Sequence, residues 1–296
     1  MKISEIFKQK KAVLSFEIFP PKAQEGSLES IYSTIERLGA LNPDFISVTY
    51  GAGGSGSAAS AQIASAAKNR FGLETLAHLT CVNSSEEDTD RAVERLAADG
   101  VGNILALRGD SPDGSVPQNH ASDLIRHIKA KYGGVGLSAA CYPEGHPQSP
   151  DLASDAAYIR LKEEAGAEHF ISQLFFDNDI FYEYMYRLRE SGVTAPVQAG
   201  IMPVVNKKSV TRLVQLCGAS FPKKFVKIVD KYGEDPRALF DAGCAYATEQ
   251  IIDLLTSGAP GIHLYTMNRP DVAERVAGSV RGIIDSLNGK CQTNTQ

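Results

Sequence analysis

The stretch Val13-Leu14-Ser15-Phe16-Glu17-Ile18-Phe19-Pro20-Pro21 reads as a β-strand that runs into two prolines, and the chemistry of the turn after it decides the fold class. Branched and aromatic side chains favour a strand, and prolines end one because they lack the backbone donor. An open dinucleotide-binding sheet would place a G-x-G-x-x-G turn after such a first strand. No such turn is present. The strand pattern of 13–19 instead recurs at 45–50, 75–82, 103–107, 135–142, 169–175, 196–203 and 261–267. Segments with apolar residues at helical period fill the intervals: 28–41, 58–71, 86–99, 121–132, 153–165, 179–191, 207–217 and 236–257. A last helix, 272–287, closes the chain, and the mixed segment 218–233 is expected to hold an extra short helix.

Eight strands alternating with helices are the requirement of a closed parallel (β/α)8 TIM barrel, and the expected fold class is α/β with a single barrel over residues 1–296. The doubly wound open sheet is the rival, since it shows the same alternation. Ser27, Ser85 and Ser122 stand where helices would be capped, and Gly39, Gly72, Gly100 and Gly192 where they would end.

The chain has 296 residues, 43% hydrophobic and 22% charged, an ordinary globular composition. A net charge of −5 does not favour a nucleic-acid or phospholipid surface. The five cysteines, Cys81, Cys141, Cys217, Cys244 and Cys291, form no C-x-x-C pair, which argues against a disulfide framework and against zinc. No His/Asp/Glu set has metal-ligand spacing, so no metal is expected. The charged start MKISEIFKQKK lacks the apolar core of a signal peptide, and no apolar run reaches the roughly 20 residues of a membrane span. A cytoplasmic location is the expectation.

Active sites of barrels lie at the C-terminal strand ends. Seven of the eight ends carry polar or titratable groups here: Glu17; Thr49 and Tyr50; His78, Thr80 and Cys81; Arg108, Gly109 and Asp110; Tyr142, Glu144 and His146; Gln173 and Asp177; Tyr265, Thr266, Asn268 and Arg269. Glu17 is the most informative. Its neighbours along the strand are mostly apolar, and desolvation there would raise its pKa and suit it to donate a proton. A structural ion pair with an arginine across the barrel is the alternative. Asp110 is either a ligand-facing acceptor, with Gly109 letting the backbone approach the ligand, or a turn aspartate. The loop 51–57 is glycine-rich but lacks the Lys-Ser/Thr of a phosphate loop. His78 alone reads as a satisfied core histidine.

Taken in order, these strand ends resemble the catalytic domain of the methylenetetrahydrofolate reductase family. The matching stretches are Ser15-Phe16-Glu17-Ile18-Phe19-Pro20-Pro21, Val48-Thr49-Tyr50-Gly51-Ala52, His78-Leu79-Thr80-Cys81 and Ala106-Leu107-Arg108-Gly109-Asp110. They continue through Tyr142-Pro143-Glu144-Gly145-His146-Pro147, Ser172-Gln173-Leu174-Phe175-Phe176-Asp177, Gly200-Ile201-Met202-Pro203 and His263-Leu264-Tyr265-Thr266-Met267-Asn268-Arg269.

The resemblance implies FAD at the barrel mouth and a ping-pong reduction of methylenetetrahydrofolate to methyltetrahydrofolate, with hydride passing from flavin N5. It implies Glu17 as general acid and Asp110 beside flavin and pterin. Thr49, Tyr50, Ala52, His78, Arg108, Gly109, Asp110, Ala121, Tyr142, His146, Asp155 and Lys162 fall at FAD-contact positions. Glu17, Asp110, Gln173, Tyr265 and Arg269 fall at folate positions. Oligomerisation is a family expectation, and a flavin-free barrel lyase or aldolase is the alternative function. Two departures bear on the electron donor and the cofactor. Lys207 stands where the family often has an aromatic residue over nicotinamide or folate, which points to NAD(P)H or a partner electron-transfer subunit as open choices. Tyr158 and Leu161 replace polar residues near the adenosine of some members. Feedback by S-adenosylmethionine is not expected.

Overall fold

Eight parallel strands hydrogen-bond in chain order and close into a barrel. They are β1 (Val13–Ile18), β2 (Phe45–Val48), β3 (Thr75–Thr80), β4 (Asn103–Leu107), β5 (Gly136–Cys141), β6 (His169–Ser172), β7 (Val197–Ile201) and β8 (Gly261–Tyr265). The computed structural model describes residues 1–21, 27–49, 57–82, 84–109, 119–207 and 218–289. β1 closes the ring by pairing on both sides, with Glu17 opposite Ser47 of β2 and Tyr265 of β8. The expected (β/α)8 barrel is therefore the observed fold. Several strands stop short of their predicted ends because the last residues leave the ladder at the mouth, where loops take over.

The helices are α1 (Ile3–Gln9), α2 (Leu28–Gly39), α3 (Ser57–Asn69), α4 (Glu86–Ala98), α5 (Ala121–Lys131), α6 (Leu152–Ala165) and α7 (Asn178–Glu190). After β7 come α8 (Lys223–Tyr232) and α9 (Pro236–Thr256), and after β8 comes α10 (Pro270–Leu287). The extra helix expected within 218–233 is α8. The helix expected over 207–217 lies outside the described residues from 208 onward, as does most of the glycine-rich loop 51–57.

Local chemistry explains the helix starts. Ser85 Oγ accepts from Asp88 N, and Asp88 Oδ2 accepts from Ser85 N in return, each at 3.1 Å. Ser27 caps α2 by accepting from Ser30 N. Ser122 is not a cap. Helix α5 already begins at Ala121, so Ser122 sits in its first turn, and Asp123 Oδ2 accepts from the N-cap backbone of His120 at 2.9 Å.

Helix α1 escaped the sequence reading, which saw only a charged start. It buries Ile3 and Ile6 against Val13, Phe45, Leu76, Leu105 and Ile171 inside the barrel, with Phe7 packed on the same cluster. Asn103 anchors it: its Oδ1 accepts from Ile3 N and its Nδ2 donates to Met1 O. The N-terminal end of the barrel is thus plugged with apolar side chains. The larger core lies between strands and outer helices, where Phe16, Ile18, Val48 and Ile262 are buried. Side chains alternate across each strand, so Ser15 and Glu17 face the opposite way from Phe16 and Ile18, into the barrel.

Candidate active site

Glu17 reaches into the barrel from β1 and is only 6% exposed. Its inward surroundings differ from its neighbours in sequence. Glu17 Oε2 lies 3.4 Å from His263 Nε2 and 3.6 Å from His78 Nε2. Ser47 Oγ sits 2.5 Å from the same His78 nitrogen, and Ser15 Oγ sits 2.7 Å from His263 Nδ1. The apolar pocket expected for Glu17 is therefore replaced by two imidazoles. The flanking Phe16 and Ile18 point into the helix layer instead. The arginine partner of the alternative reading is also replaced by histidines.

Burial pushes the pKa of His78 down to about 4, aided by His263 and opposed by Glu17. At neutral pH His78 is thus uncharged, and its contact with Glu17 is dipolar rather than a full ion pair. His169, deeper in the barrel and stacked on Phe7 at 4.6 Å, is pushed down to about 3, again mainly by burial.

The backbone of β1 is clasped from β8 and the turn after it. Thr266 Oγ1 donates to Glu17 O at 2.7 Å. Asn268 accepts from Phe19 N and donates to Phe19 O, both at 2.9 Å. Met267 and Asn268 adopt left-handed φ values of +52° and +55° to make this turn. Tyr265 donates to Ser172 O at 2.8 Å, and its ring crosses β7 where Gly200 leaves room. A Cβ at Gly200 would lie 2.8 Å from that ring and 2.2 Å from Ser172 O. Gln173 follows directly, donating its backbone N–H to Cys141 O at 2.7 Å. Glu17, His78, Gln173 and Tyr265 are thus gathered at one end of the barrel.

A second group forms around β4, β5 and α6. Asp155 is buried; its Oδ1 accepts from His146 N and Ser149 Oγ, each at 3.0 Å, which ties the loop after β5 to α6. Its Oδ2 is buried and has no hydrogen-bond partner. Lys162 Nζ donates to Ala140 O at 2.8 Å, and burial lowers its pKa, with nearby Cys141 and Asp155 opposing and Arg108 adding to the shift. Tyr142 and His146 meet edge to face at 4.7 Å. Arg108 donates to Gln148 Oε1 and to Gly109 O. Ala121 lies at the start of α5, and Thr49 O accepts from Ser60 Oγ.

Gly109 has φ +84°, and a Cβ there would come within 2.5 Å of Val82 Cγ1. The close approach that its glycine permits is to the end of β3. These residues fit FAD on one structural ground. An orphaned buried acceptor such as Asp155 Oδ2 calls for a donor, which a ribose hydroxyl would supply beside the lysine. Among the described residues no group of three or more His, Cys, Asp and Glu could hold a metal ion. No described helix is long and apolar enough to cross a membrane.

Three predicted site residues, Tyr50, Ala52 and Asp110, lie outside the described residues. Arg269 is exposed at the start of α10 and makes a two-pronged pair with Asp271, at 2.8 and 2.6 Å. Lys207 turns outward to Glu234 Oε1 at 2.6 Å. The residues that sequence reasoning missed are Ser15, Ser47, Gln198 and His263. Their available signal was weak: polar residues at alternating positions inside apolar strands.

Residues 2–280 match the family model described as methylenetetrahydrofolate reductase. A 5,10-methylenetetrahydrofolate reductase of Pectobacterium carotovorum is 33% identical over 261 residues, covering 88% of this chain and 87% of the relative. Methylenetetrahydrofolate reductase (NADH) 1 of Arabidopsis thaliana is 37% identical over 284 residues, covering 90% of this chain but 48% of the relative. The chain thus spans about half the length of the plant relative. Among solved structures, an uncharacterized protein from Clostridium thermocellum that binds two copies of 5-methyl-5,6,7,8-tetrahydrofolic acid superposes with a TM-score of 0.64 at 15% identity, covering 95% of this chain and 97% of that one. At that identity the likeness speaks for the barrel alone. Spanning almost the whole chain, the family match and the bacterial relative lead to one conclusion: this chain belongs to the methylenetetrahydrofolate reductase family.

Proposed function

We propose that the barrel catalyses the FAD-dependent reduction of 5,10-methylenetetrahydrofolate to 5-methyltetrahydrofolate, by a ping-pong cycle at one site. The observation that carries the reading is Glu17, a buried carboxyl on β1 reached by two imidazoles near the C-terminal end of the barrel. Opening the folate's bridging ring leaves a positive iminium carbon and requires a proton on the departing amine nitrogen. Glu17 is the described carboxyl best set to give it. Tyr265 and Gln173 flank the folate on the β6–β8 side, and Arg269 together with Asp110 completes the folate contacts. When bound, FAD supplies hydride to the iminium carbon after being reduced by a donor.

On the cofactor side, Asp155 Oδ2 and Lys162 Nζ hold the polar tail of FAD. Thr49, Tyr50, Ala52, His78, Arg108, Gly109, Asp110, Ala121, Tyr142 and His146 complete its bed. The donor is NAD(P)H or a partner electron-transfer subunit; the NADH in the plant relative's name is consistent with the former. Lys207, paired with Glu234, offers no aromatic face to nicotinamide. The test is to record the visible spectrum of the purified protein, then add NADH, NADPH and methyltetrahydrofolate separately without oxygen. Bleaching of a flavin spectrum by methyltetrahydrofolate is the expected result. A protein that will not take up FAD overturns the reading.

A further inference from the structure

The carboxyl of Glu17 does not stand alone, and the hydrogen bonds behind it have a direction. Gln198, buried on β7, places Nε2 2.8 Å from Ile262 O and 3.0 Å from Ser15 Oγ, with Val13 O at 3.4 Å. Backbone carbonyls only accept, so this side of the amide must be its nitrogen. One of its hydrogens then goes to Ser15 Oγ. The Ser15 oxygen can accept twice and donate once; its hydrogen given to His263 Nδ1, 2.7 Å away, continues the chain toward Glu17. An imidazole that accepts at Nδ1 and is neutral carries its hydrogen on Nε2. That nitrogen lies 3.4 Å from Glu17 Oε2, at the long end for a hydrogen bond. All four residues are buried.

We propose that Ser15 and His263 are positioning residues for Glu17: the chain from Gln198 through Ser15 fixes the Nε2–H form of His263 and aims that hydrogen at Oε2, leaving Oε1 to carry the transferable proton. The inference rests on the reading of Glu17 as proton donor. Among the described residues, the charged or titratable groups within 4 Å of the Glu17 carboxyl are His263 from β8 and His78 from β3. Ser47 of β2 occupies the other face of His78. With the His263 Nε2 hydrogen aimed at it, Oε2 is the acceptor end of the carboxyl, and the acid's own hydrogen is displaced to Oε1. Without the relay, His263 can rotate or change tautomer. Its lone pair would then face Oε2 and compete for the proton that the folate needs.

The experiment has two arms. In the first, 15N-histidine spectra of the holoenzyme, assigned by difference against His263→Asn, report the tautomer directly. A protonated Nε2 with a bare Nδ1 is expected, and this signature should be lost in Ser15→Ala. A bare Nε2, or an Nε2–H form that survives Ser15→Ala, overturns the relay. In the second arm, the two half-reactions are followed separately by stopped flow over a range of pH. Ser15→Ala and His263→Asn should slow folate reduction about tenfold and shift its pH profile, as expected for a misplaced general acid. Flavin reduction should be unchanged. His263→Gln, which keeps an N–H near the Nε2 position, should recover part of the rate. Equal slowing of both half-reactions at every pH would mean a merely structural role and overturn the proposal. Glu17→Gln separates the two levels. If it reduces methylenetetrahydrofolate at the parent rate, the general-acid reading fails and the relay with it. If Glu17→Gln is inactive while Ser15→Ala keeps the parent pH profile, the relay alone fails.

Discussion

Glu17 carries the proposed chemistry on one side chain, so its replacement separates proton donation from the rest of the cycle. Glu17→Gln keeps the size and the contact with His263 but has no acidic hydrogen. Folate reduction should fall by about 10²–10⁴-fold, the usual worth of a general acid. Reduction of the flavin by its donor needs no such proton and should persist, which stopped-flow absorbance would show. Asp155 makes a different prediction. Its unpartnered Oδ2 is the acceptor assigned to the cofactor, and its Oδ1 also holds the loop after β5. Asp155→Ala should weaken FAD retention by about tenfold or more, since one charge-assisted hydrogen bond is worth roughly 1.5–3 kcal/mol. Fluorescence of released FAD on dilution measures this, and unchanged retention would place the cofactor elsewhere.

The elements most exposed to test are those that set the ends of the barrel. Helix α1 is seven residues long, too short to be stable by itself, and persists because Ile3 and Ile6 are buried inside the barrel. Ile3→Ala should lower the unfolding free energy by about 2–4 kcal/mol in urea titration, the range for emptying a packed core position. Lys8→Ala on the exposed face of the same helix should change it by less than about 0.5 kcal/mol. If both are neutral, the plug is not part of the cooperative fold. At the mouth, by contrast, order comes from side-chain clasps such as Asn268 on Phe19, because the strands have left their ladders there.

For the molecule as a whole, the buried imidazoles govern the response to acid. In the unfolded chain His78 and His169 would protonate near 6.5, whereas in the barrel they do so only at about 4 and about 3. Between those values the unfolded state binds more protons, so stability falls as pH falls from about 6.5 toward 4. Each histidine contributes a slope on the order of 1 kcal/mol per pH unit in that window. His169→Asn should flatten the slope of urea midpoint against pH. A surface network acts lower on the scale. Hydrogen bonds from Lys131 and His127 hold the Asp90 carboxyl at about 2. The stability it contributes is complete above about pH 4 and is lost as pH falls through 2, a loss that Asp90→Asn should abolish.

Sequence alone determined the barrel, since alternating strands and helices with polar strand ends reflect burial, and burial is written in periodicity. It also marked Glu17, through a carboxylate standing in an apolar run, and through resemblance it pointed to the residues that would hold FAD and folate. It could not determine what Glu17 touches. His263 is 246 residues away, and the two meet only because closing the ring sets β8 beside β1 in one register. The same limit explains the other errors. Period two shows that a side chain faces inward but not which side chains face it, so histidines were not expected where an apolar wall or an arginine was. Helix α1 was invisible because seven residues carry too little periodicity, and its stability comes from the barrel it closes. The position of Arg269, proposed for folate, was legible in the sequence, whereas its pairing with Asp271 two residues on was not. Local pattern fixes which elements form, while closure of the barrel decides which side chains meet, because those contacts join residues far apart in the chain.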